Sequence, residues 1–453
     1  MKMPLPENLK TLAGACSFPL YVVGGYVRDF LARLECGEHD IDICAPVPFE
    51  KFCSVAEVCG AEVTAIYKNT GTVKIRFGRE EYEFASFRSD EYVRGGHAPV
   101  RTFFTENITL DARRRDFKCN AVYYDVNNGT FIDPLGGVKD IADRTLSTVD
   151  RADKVFGEDG LRLMRLARIA AQTDFKPSDE CLEGAAKNRS LVADVAAERV
   201  WTELDAILHA DGKYKVAGAQ YYGLKLLEQT GVLEIIMPEL AQGKGMAQPE
   251  KFHNHDVLEH SLRTVLYADA SIRLAALVHD IGKPYCMSKN GNYYAHEKEG
   301  ARIAEEVCNR LKVPKKRREE AVALTALHMY DARLDARESK VRRFIVRHFP
   351  LFEKLLQIKQ ADFSACRDET YEAPCVTKWK KIYEDMRGEC VPFTVKQLDV
   401  RGDELIAAGI APQDTGAALQ GPVECWAVQR LKKEKSKHID CALKMRLKRG
   451  GKI

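Results

Sequence analysis

Three things are missing from this 453-residue chain, and each absence narrows what it can be. No apolar run approaches the roughly 20 residues a membrane-spanning helix needs, so no membrane protein is expected. No two cysteines stand in C-x-x-C spacing, although fourteen are scattered along the chain. That pattern suits free thiols in a reducing cytosol better than a disulfide framework or a zinc ribbon. There is also no large excess of either charge: at +3 net, overall electrostatics argue neither for nor against nucleic acid. The first twenty residues carry Pro and acid where a secretory signal needs a continuous apolar stretch, so a cytoplasmic protein is expected. Neither an internal repeat nor a low-complexity segment is visible.

What is present reads as an ordinary globular enzyme-sized chain, 45% hydrophobic and 30% charged, long enough for roughly three or more domains. Residues 20–140 mix short β-like runs ("LYVVGG", "DIDICAP", "GTVKIRF", "YEFASF") with Gly and Asn turns. "AVYYDVNNGTFIDP" predicts a hairpin turning through Asn127, Asn128 and Gly129. From Gly157 onward a 3.6-residue apolar period dominates, so the remainder is expected to be helical. Turn residues cluster near 140–156, 241–253 and 371–378. Local basic clusters stand at 113–115, at 315–318 and in the last 24 residues, where they suit either a phosphate backbone or a solvated helix face.

In "HDIDIC" two carboxylates, Asp40 and Asp42, stand one residue apart in an apolar run. On a strand they share a face, with Ile41 and Ile43 behind them, which suits a cation as well as it suits a charged turn. Just upstream, "VVGGYVRD" runs a strand into Gly24 and Gly25 and then a helix. Freed backbone N–H groups there can approach a phosphate, and Arg28 can add charge-assisted bonds. The spacing thus supplies a triphosphate cradle beside a carboxylate pair for divalent cations, with Glu83 of "YEFASF" as candidate third carboxylate.

Further on, "DARRRDFKCNAVYYD" sets Asp111, Arg114, Arg115 and Asp116 before an apolar strand, either as phosphate contacts or as a self-neutralised basic loop. "GEDGLRLMRLARI" predicts a helix with acids in its first turn. Asp159, Arg162 and Arg165, three apart, would form one polar ridge, as salt bridges or as readers of a base edge. Cytosine and adenine each present one amino donor beside one ring-nitrogen acceptor, a pattern that an acceptor and a forked donor can match.

In order and spacing, "GGYVRD", "DID", "EFASFRSDEY", "DARRRDFKCNA", "GTFIDPLGGVKDI", "EDGLRLMRLARIAA" and "ERVWTEL" resemble the class II tRNA nucleotidyltransferase and bacterial poly(A) polymerase family over about residues 20–205. The resemblance implies that Asp40 and Asp42 bind Mg²⁺, and that Gly24, Gly25 and Arg28 hold the triphosphate. It implies ribose and phosphate contacts for Arg114, Arg115 and Asp116, and matches Glu158, Asp159 and Arg162 to the family's E-D-x-x-R element, in which Asp159 and Arg162 select CTP and ATP without a template, beside Arg165. Departures from the family pattern are "RGGHAPV" at 94–100 in place of Arg-x-Pro, and Lys118-Cys119. The full-length loop from Arg88 to Arg101 implies complete CCA addition, since relatives adding only two C residues tend to lack it. The basic stretch of proteobacterial poly(A) polymerases is not found, which leaves poly(A) synthesis as the alternative.

A second constellation spans "HNHDVLEHSL", "LAALVHDIGKP", "YAHEKEG", "LTALHMYD" and "IKQADFSAC". Imidazoles and carboxylates from several helices suit Mn²⁺, Ni²⁺ or Fe²⁺ with a bound water as nucleophile. These segments resemble an HD phosphohydrolase domain over about residues 246–370. By that match His260, His279, Asp280 and Asp362 hold one metal, His296 and His328 a second metal or the substrate phosphate, and Lys283 contacts phosphate. His253 and His255 stand near without matching a ligand position.

The expected architecture is α+β: a polymerase-beta-like nucleotidyltransferase head with a small mixed sheet (1–145), then an all-α neck and body (146–245), an HD domain (246–370) and a tail (371–453). Residues 398–420 resemble the family's tRNA-contacting tail. The implied activity is two-metal addition of CCA to tRNA from CTP and ATP, with an accessory phosphohydrolase. The expected partners are tRNA, CTP and ATP, and neither a membrane nor DNA. The other readings are an enzyme acting mainly through its HD site and a non-catalytic RNA-binding module.

Overall fold

The structure is a computed structural model that describes residues 2–35, 40–93, 99–251, 253–398, 400, 402–428 and 439. The chain separates into two compact units, Met1–Gln242 with Val307–Val313, and Gly243–Glu306 with Pro314–Ile453. The basic C-terminal run and most of "RGGHAPV" lie outside the described residues.

The first unit holds strands β1 (Tyr21–Val23), β2 (Ile41–Ala45), β3 (Glu62–Tyr67), β4 (Thr72–Phe77), β5 (Glu80–Ser86), β6 (Arg88–Glu91), β7 (Arg101–Phe104), β8 (Tyr123–Asp125) and β9 (Thr130–Ile132). Seven of them form one sheet in the order β3-β4-β5-β2-β1-β8-β9. Only β2 and β5 pair parallel; the other neighbours are antiparallel, so the sheet is mixed. Ile41 and Ile43 are buried while Asp42 between them is exposed, the alternation a one-sided strand requires. The helix Phe49–Val58 covers the apolar face through Phe52, whose ring stacks on Phe84 with centroids 3.7 Å apart. Each such fully buried phenylalanine contributes about 1.5–3 kcal/mol.

The predicted hairpin is present: β8 and β9 pair antiparallel, and Asp125 accepts from the amides of Asn127 and Asn128 while Gly129 takes φ +69°. The segment from Arg88 to Arg101, read as a loop, instead begins as β6 and ends at β7, an antiparallel ribbon pairing Arg88 with Phe104 and Glu91 with Arg101. Its strands are short and partly exposed, so alternation leaves little trace in the sequence.

The expected helix at "EDGLRL" also differs in detail. It runs Leu161–Thr173, with no acid in its first turn. Glu158 ends the preceding helix, Ala152–Glu158, and Asp159 is extended at φ −145°, ψ 110°, so Asp159 and Arg162 do not share a helical ridge. The break therefore falls at Asp159; Gly160 beside it is helical at φ −60°, ψ −22°, and a Cβ there would stand 2.4 Å from the Leu191 carbonyl oxygen, so the chain passes too close to its neighbour for a side chain at that point.

In the second unit the described residues are helical and irregular. The helix Val257–Tyr267 starts where the Asp256 carboxylate accepts from the Glu259 amide at 2.7 Å, an N-cap that satisfies one of the free amides of the first turn. It packs beside Phe352–Arg367, and the Asn254 amide donates to the Cys366 carbonyl at 2.9 Å. Among the described residues no helix is long and apolar enough to cross a membrane, and the twelve described cysteines are all free thiols.

Candidate functional site

A cleft of about 430 Å³ opens in the first unit where β2 and β5 meet the helix after β1. Asp40, Asp42 and Glu83 line one side of it. The parallel pairing sets Asp42 directly beside Glu83, and the antiparallel pairing sets Glu83 beside Lys74, so one row across the sheet reads acid, acid, base. The Lys74–Glu83 pair, 3.5 Å apart and half exposed, contributes little by itself. Gly24, at φ +85°, carries β1 into the helix Gly25–Ala32, and a Cβ there would lie 3.0 Å from the Asp42 Oδ2. Glycine therefore serves both the backbone turn and the room that the carboxylate occupies. Although Asp42 reaches the cleft, it sits recessed: burial pushes its carboxyl up to about 6, Arg115 pulls it back, and Glu83 and Asp40 push it further up. Three carboxylates crowded on one wall, with Asp40 and Glu83 both opposing ionisation of Asp42, form a donor set that fits a hard divalent cation.

The opposite wall is basic, and its arginines are held by buried acids. Arg28, 5% exposed, donates from Nε and Nη2 to Asp29 at 2.8 and 2.6 Å, from Nη1 to Asn120 at 2.9 Å, and from Nη2 to the Tyr214 hydroxyl at 3.1 Å. Asn120 in turn donates to Asp116 at 3.1 Å, and Asp116 receives Arg165 through Nε and Nη2 at 2.8 and 2.5 Å. Burial alone would raise the Asp116 carboxyl; the Arg165 guanidinium and the bonds from Arg165, Asn120 and the Phe117 amide hold it well below the usual range. Arg114 and Arg115 share Asp111, at 2.7 and 3.1 Å, and the Tyr123 hydroxyl donates to the same carboxylate at 2.7 Å. Sequence reading named the arginines and missed Asp29, Tyr214 and Tyr123, which fix them. Their signal is weak, because a buried acid beside an arginine looks in sequence like any charged pair.

Arg162 is 5% exposed and engaged at both terminal nitrogens: Nη1 donates to Glu158 and the Val155 carbonyl, both at 2.9 Å, and Nη2 to the Arg114 carbonyl at 2.7 Å. The ring of Tyr92, just past β6, lies 5.4 Å from the guanidinium. Asp159 accepts from the Leu161 amide at 2.9 Å. Arg165, but neither Asp159 nor Arg162, lines the described cleft, together with Arg168, Lys213, Gly25 and Arg28.

In the second unit the six named ligand positions converge. Asp280 sits between two groups of imidazoles: its Oδ2 lies 3.5 Å from His260 Nε2 and 3.3 Å from His279 Nε2, its Oδ1 3.2 Å from His296 Nε2 and 3.6 Å from His328 Nε2. Asp362 Oδ1 lies 3.1 Å from His260 and 3.8 Å from His279. His279, His296 and His328 direct Nδ1 onto the carbonyls of Ala276, Tyr293 and Thr325, which fixes the tautomer that leaves Nε2 as a lone pair. The Nε2 atoms of His296 and His328 are buried with no hydrogen-bond partner, the arrangement expected where a cation supplies the missing partner. Gly282 makes the convergence possible, since a Cβ there would stand 2.3 Å from the His296 carbonyl. Lys283 donates to Asp280 at 2.5 Å and to Gln248 at 2.7 Å. His255 pairs with Asp368 at 3.2 Å, away from these groups. Burial lowers His253 to about 4.

Residues 20–147 match the poly A polymerase head domain, residues 174–244 the probable RNA and SrmB-binding site of polymerase A, and residues 257–351 the HD domain. The chain is 32% identical to the multifunctional CCA protein of Teredinibacter turnerae, over 69% of this chain and 74% of that protein. It is 29% identical to the A-adding tRNA nucleotidyltransferase of Deinococcus radiodurans, over 76% of each. The crystal structure of the Bacillus stearothermophilus CCA-adding enzyme in complex with CTP superposes with a TM-score of 0.66 at 21% identity, covering 98% of this chain and 99% of that one. The chain is a nucleotidyltransferase with an HD domain behind its catalytic head. It belongs to the class II tRNA nucleotidyltransferase and bacterial poly(A) polymerase family.

Proposed function

We propose that this enzyme adds C, C and A to the 3′ end of tRNA from CTP and ATP without a template. The observation that carries the reading is the row Asp42–Glu83, with Asp40 beside it, facing a basic wall across one nucleotide-sized cleft. Asp40, Asp42 and Glu83 would hold Mg²⁺, which when bound supplies activation of the attacking hydroxyl and charge stabilisation at the leaving oxygen. The acceptor 3′-hydroxyl attacks the α-phosphate and pyrophosphate leaves. Gly24 and Gly25 admit the triphosphate close to the backbone, while Arg28, Arg115 and Arg165, held rigid by Asp29, Asp111 and Asp116, complement its charge. Asp159 and Arg162 select cytosine or adenine, Arg162 being held by Glu158 and backbone carbonyls.

Incubation of tRNA ending before CCA with CTP and ATP, followed by sequencing of the product, tests this. Exact CCA ends are expected, and unlimited A addition to arbitrary RNA overturns it. The name of the Deinococcus relative favours a second reading, addition of the terminal A alone. Extension of a CC-ended tRNA by ATP, with no incorporation of CTP into the shorter tRNA, would select it.

For the HD centre we propose a metal-dependent phosphohydrolase acting on 2′,3′-cyclic or 2′-phosphate ends. Support comes from the partnerless Nε2 atoms of His296 and His328 around Asp280. Mn²⁺, Ni²⁺ or Fe²⁺ fits the N,O donor set. Hydrolysis of a 2′,3′-cyclic nucleotide by wild type and its loss in His279→Ala, with nucleotide addition unchanged, is the expected result; a wild type inert with every divalent metal overturns it.

A further inference from the structure

The four imidazoles around Asp280 are not equivalent. His279, His296 and His328 each anchor Nδ1 on a backbone carbonyl at 2.7–2.8 Å. His260 has no such anchor: its Nδ1 is buried without a partner, while Nε2 lies 3.1 Å from Asp362. Beside that ring stands His253, centroid 4.9 Å away and nearly perpendicular, whose own Nδ1 is also buried without a partner. Cys366, one helical turn beyond Asp362, completes a group in which a nitrogen of each imidazole and the thiol sulfur lie within 4.8 Å of one another. The bond from the Asn254 amide to the Cys366 carbonyl ties the His253 segment to the helix that carries the thiol.

We propose that His253, His260 and Cys366 form a separate N,N,S site for a thiophilic cation such as Zn²⁺, and that filling it withdraws His260 from the centre around Asp280. A thiolate with two imidazoles selects borderline and soft cations over Mg²⁺ or Mn²⁺. As the cation enters, the Cys366 thiol gives its proton to solvent, and both imidazoles bind neutral. Ligation at Nδ1 of His260 leaves the ring proton on Nε2, where Asp362 at 3.1 Å accepts it. A protonated Nε2 offers no lone pair, so the same ring cannot then serve the neighbouring centre. Two cation classes thus compete for one imidazole, and the thiophilic one switches the HD centre off. The withdrawal rests on the metal-binding role proposed above for the HD residues; the N,N,S site does not.

Co²⁺ is the probe, added to the full metal-free chain, because a cobalt–thiolate bond gives a near-ultraviolet charge-transfer absorption that imidazole and carboxylate ligands lack. Wild type is expected to develop this band with one saturating equivalent. Cys366→Ser and Cys366→Ala are expected to abolish it, and His253→Ala to weaken the binding behind it by about tenfold or more. Cys390→Ser, at an exposed thiol, should retain it. Unchanged thermal unfolding of the cysteine variants shows that they fold. Absence of the band in wild type, or its survival in Cys366→Ser, overturns the site. For the withdrawal, one equivalent of Zn²⁺ should release Mn²⁺, followed by its electron paramagnetic resonance, from wild type but not from Cys366→Ser. Retained Mn²⁺ in wild type overturns it. Mn²⁺ binding to neither protein overturns the HD reading and the withdrawal together, while the thiolate band still decides the N,N,S site.

Discussion

At the scale of single residues, function rests on side chains denied their usual freedom. Gly24 is the sharpest case, since its φ of +85° and its 3.0 Å approach to Asp42 are independent reasons for the absence of a side chain. Gly24→Ala is expected to push the Asp42 carboxylate out of the row it shares with Glu83. Nucleotide addition should fall by about 100-fold, on the scale of a 1 Å misplacement at a reacting centre, and chiefly in kcat, as single-turnover measurement would show. A second prediction concerns Asp116, whose carboxyl is held below its unfolded value by Arg165 and Asn120. A depressed carboxyl stabilises the fold above pH ~4, and that contribution drains away as pH falls toward the folded value. Asp116→Asn should therefore lose about 1–2 kcal/mol at pH 7, reduced by the solvent reaching Arg165, and show a flatter loss of stability below pH ~4 in denaturant titrations.

At the scale of elements, what was legible in the sequence was what repeats or stands in a fixed order. The strand-turn-helix around "GGYVRD", the "NNG" hairpin and the helical second half follow from local patterns and recur in the fold. β3 did not, because it is an edge strand whose side chains are only partly covered, and the β6–β7 ribbon did not, because half-exposed strands carry weak alternation. The need for a glycine at 160 was also invisible, for its cause is the Leu191 backbone, thirty-one positions away. In the site, residues that present a donor to a ligand were readable, whereas the buried partners that aim them, such as Asp29 and Tyr214, are set by tertiary packing alone. Gly160 supplies the element-scale prediction. Gly160→Ala must displace the Leu191 backbone or the start of the helix Leu161–Thr173, costing about 1–3 kcal/mol by overpacking. Because Arg162 lies in the first turn of that helix, CTP-against-ATP discrimination should weaken more than triphosphate affinity, as competition assays with mixed nucleotides would show. Equal losses in both would place base selection elsewhere.

At the scale of the whole molecule, the two centres differ in donor chemistry as well as in unit. The head presents oxygen donors to a cleft with a basic wall, while the HD centre presents imidazole nitrogens and two carboxylates, most of them sealed from solvent. Each set grows from one compact unit, so neither centre borrows a ligand from the other. That separation predicts a double dissociation. Asp42→Asn should abolish tRNA extension and leave the metal content of the HD centre as in wild type. Asp280→Asn removes the carboxylate whose two oxygens face opposite imidazole groups, and should reduce Mn²⁺ or Ni²⁺ bound there by about 10-fold or more while tRNA extension stays within about twofold. Asparagine is the right replacement, because alanine would leave the Lys283 ammonium buried beside Gln248 with no acceptor on its other side and could unfold the second unit for that reason alone. If Asp280→Asn also suppresses extension while thermal unfolding is unchanged, the HD centre takes part in nucleotide addition and the two activities are one. If each substitution silences only its own centre, the chain carries two separately poised centres, and nucleotide addition needs only the one in the head.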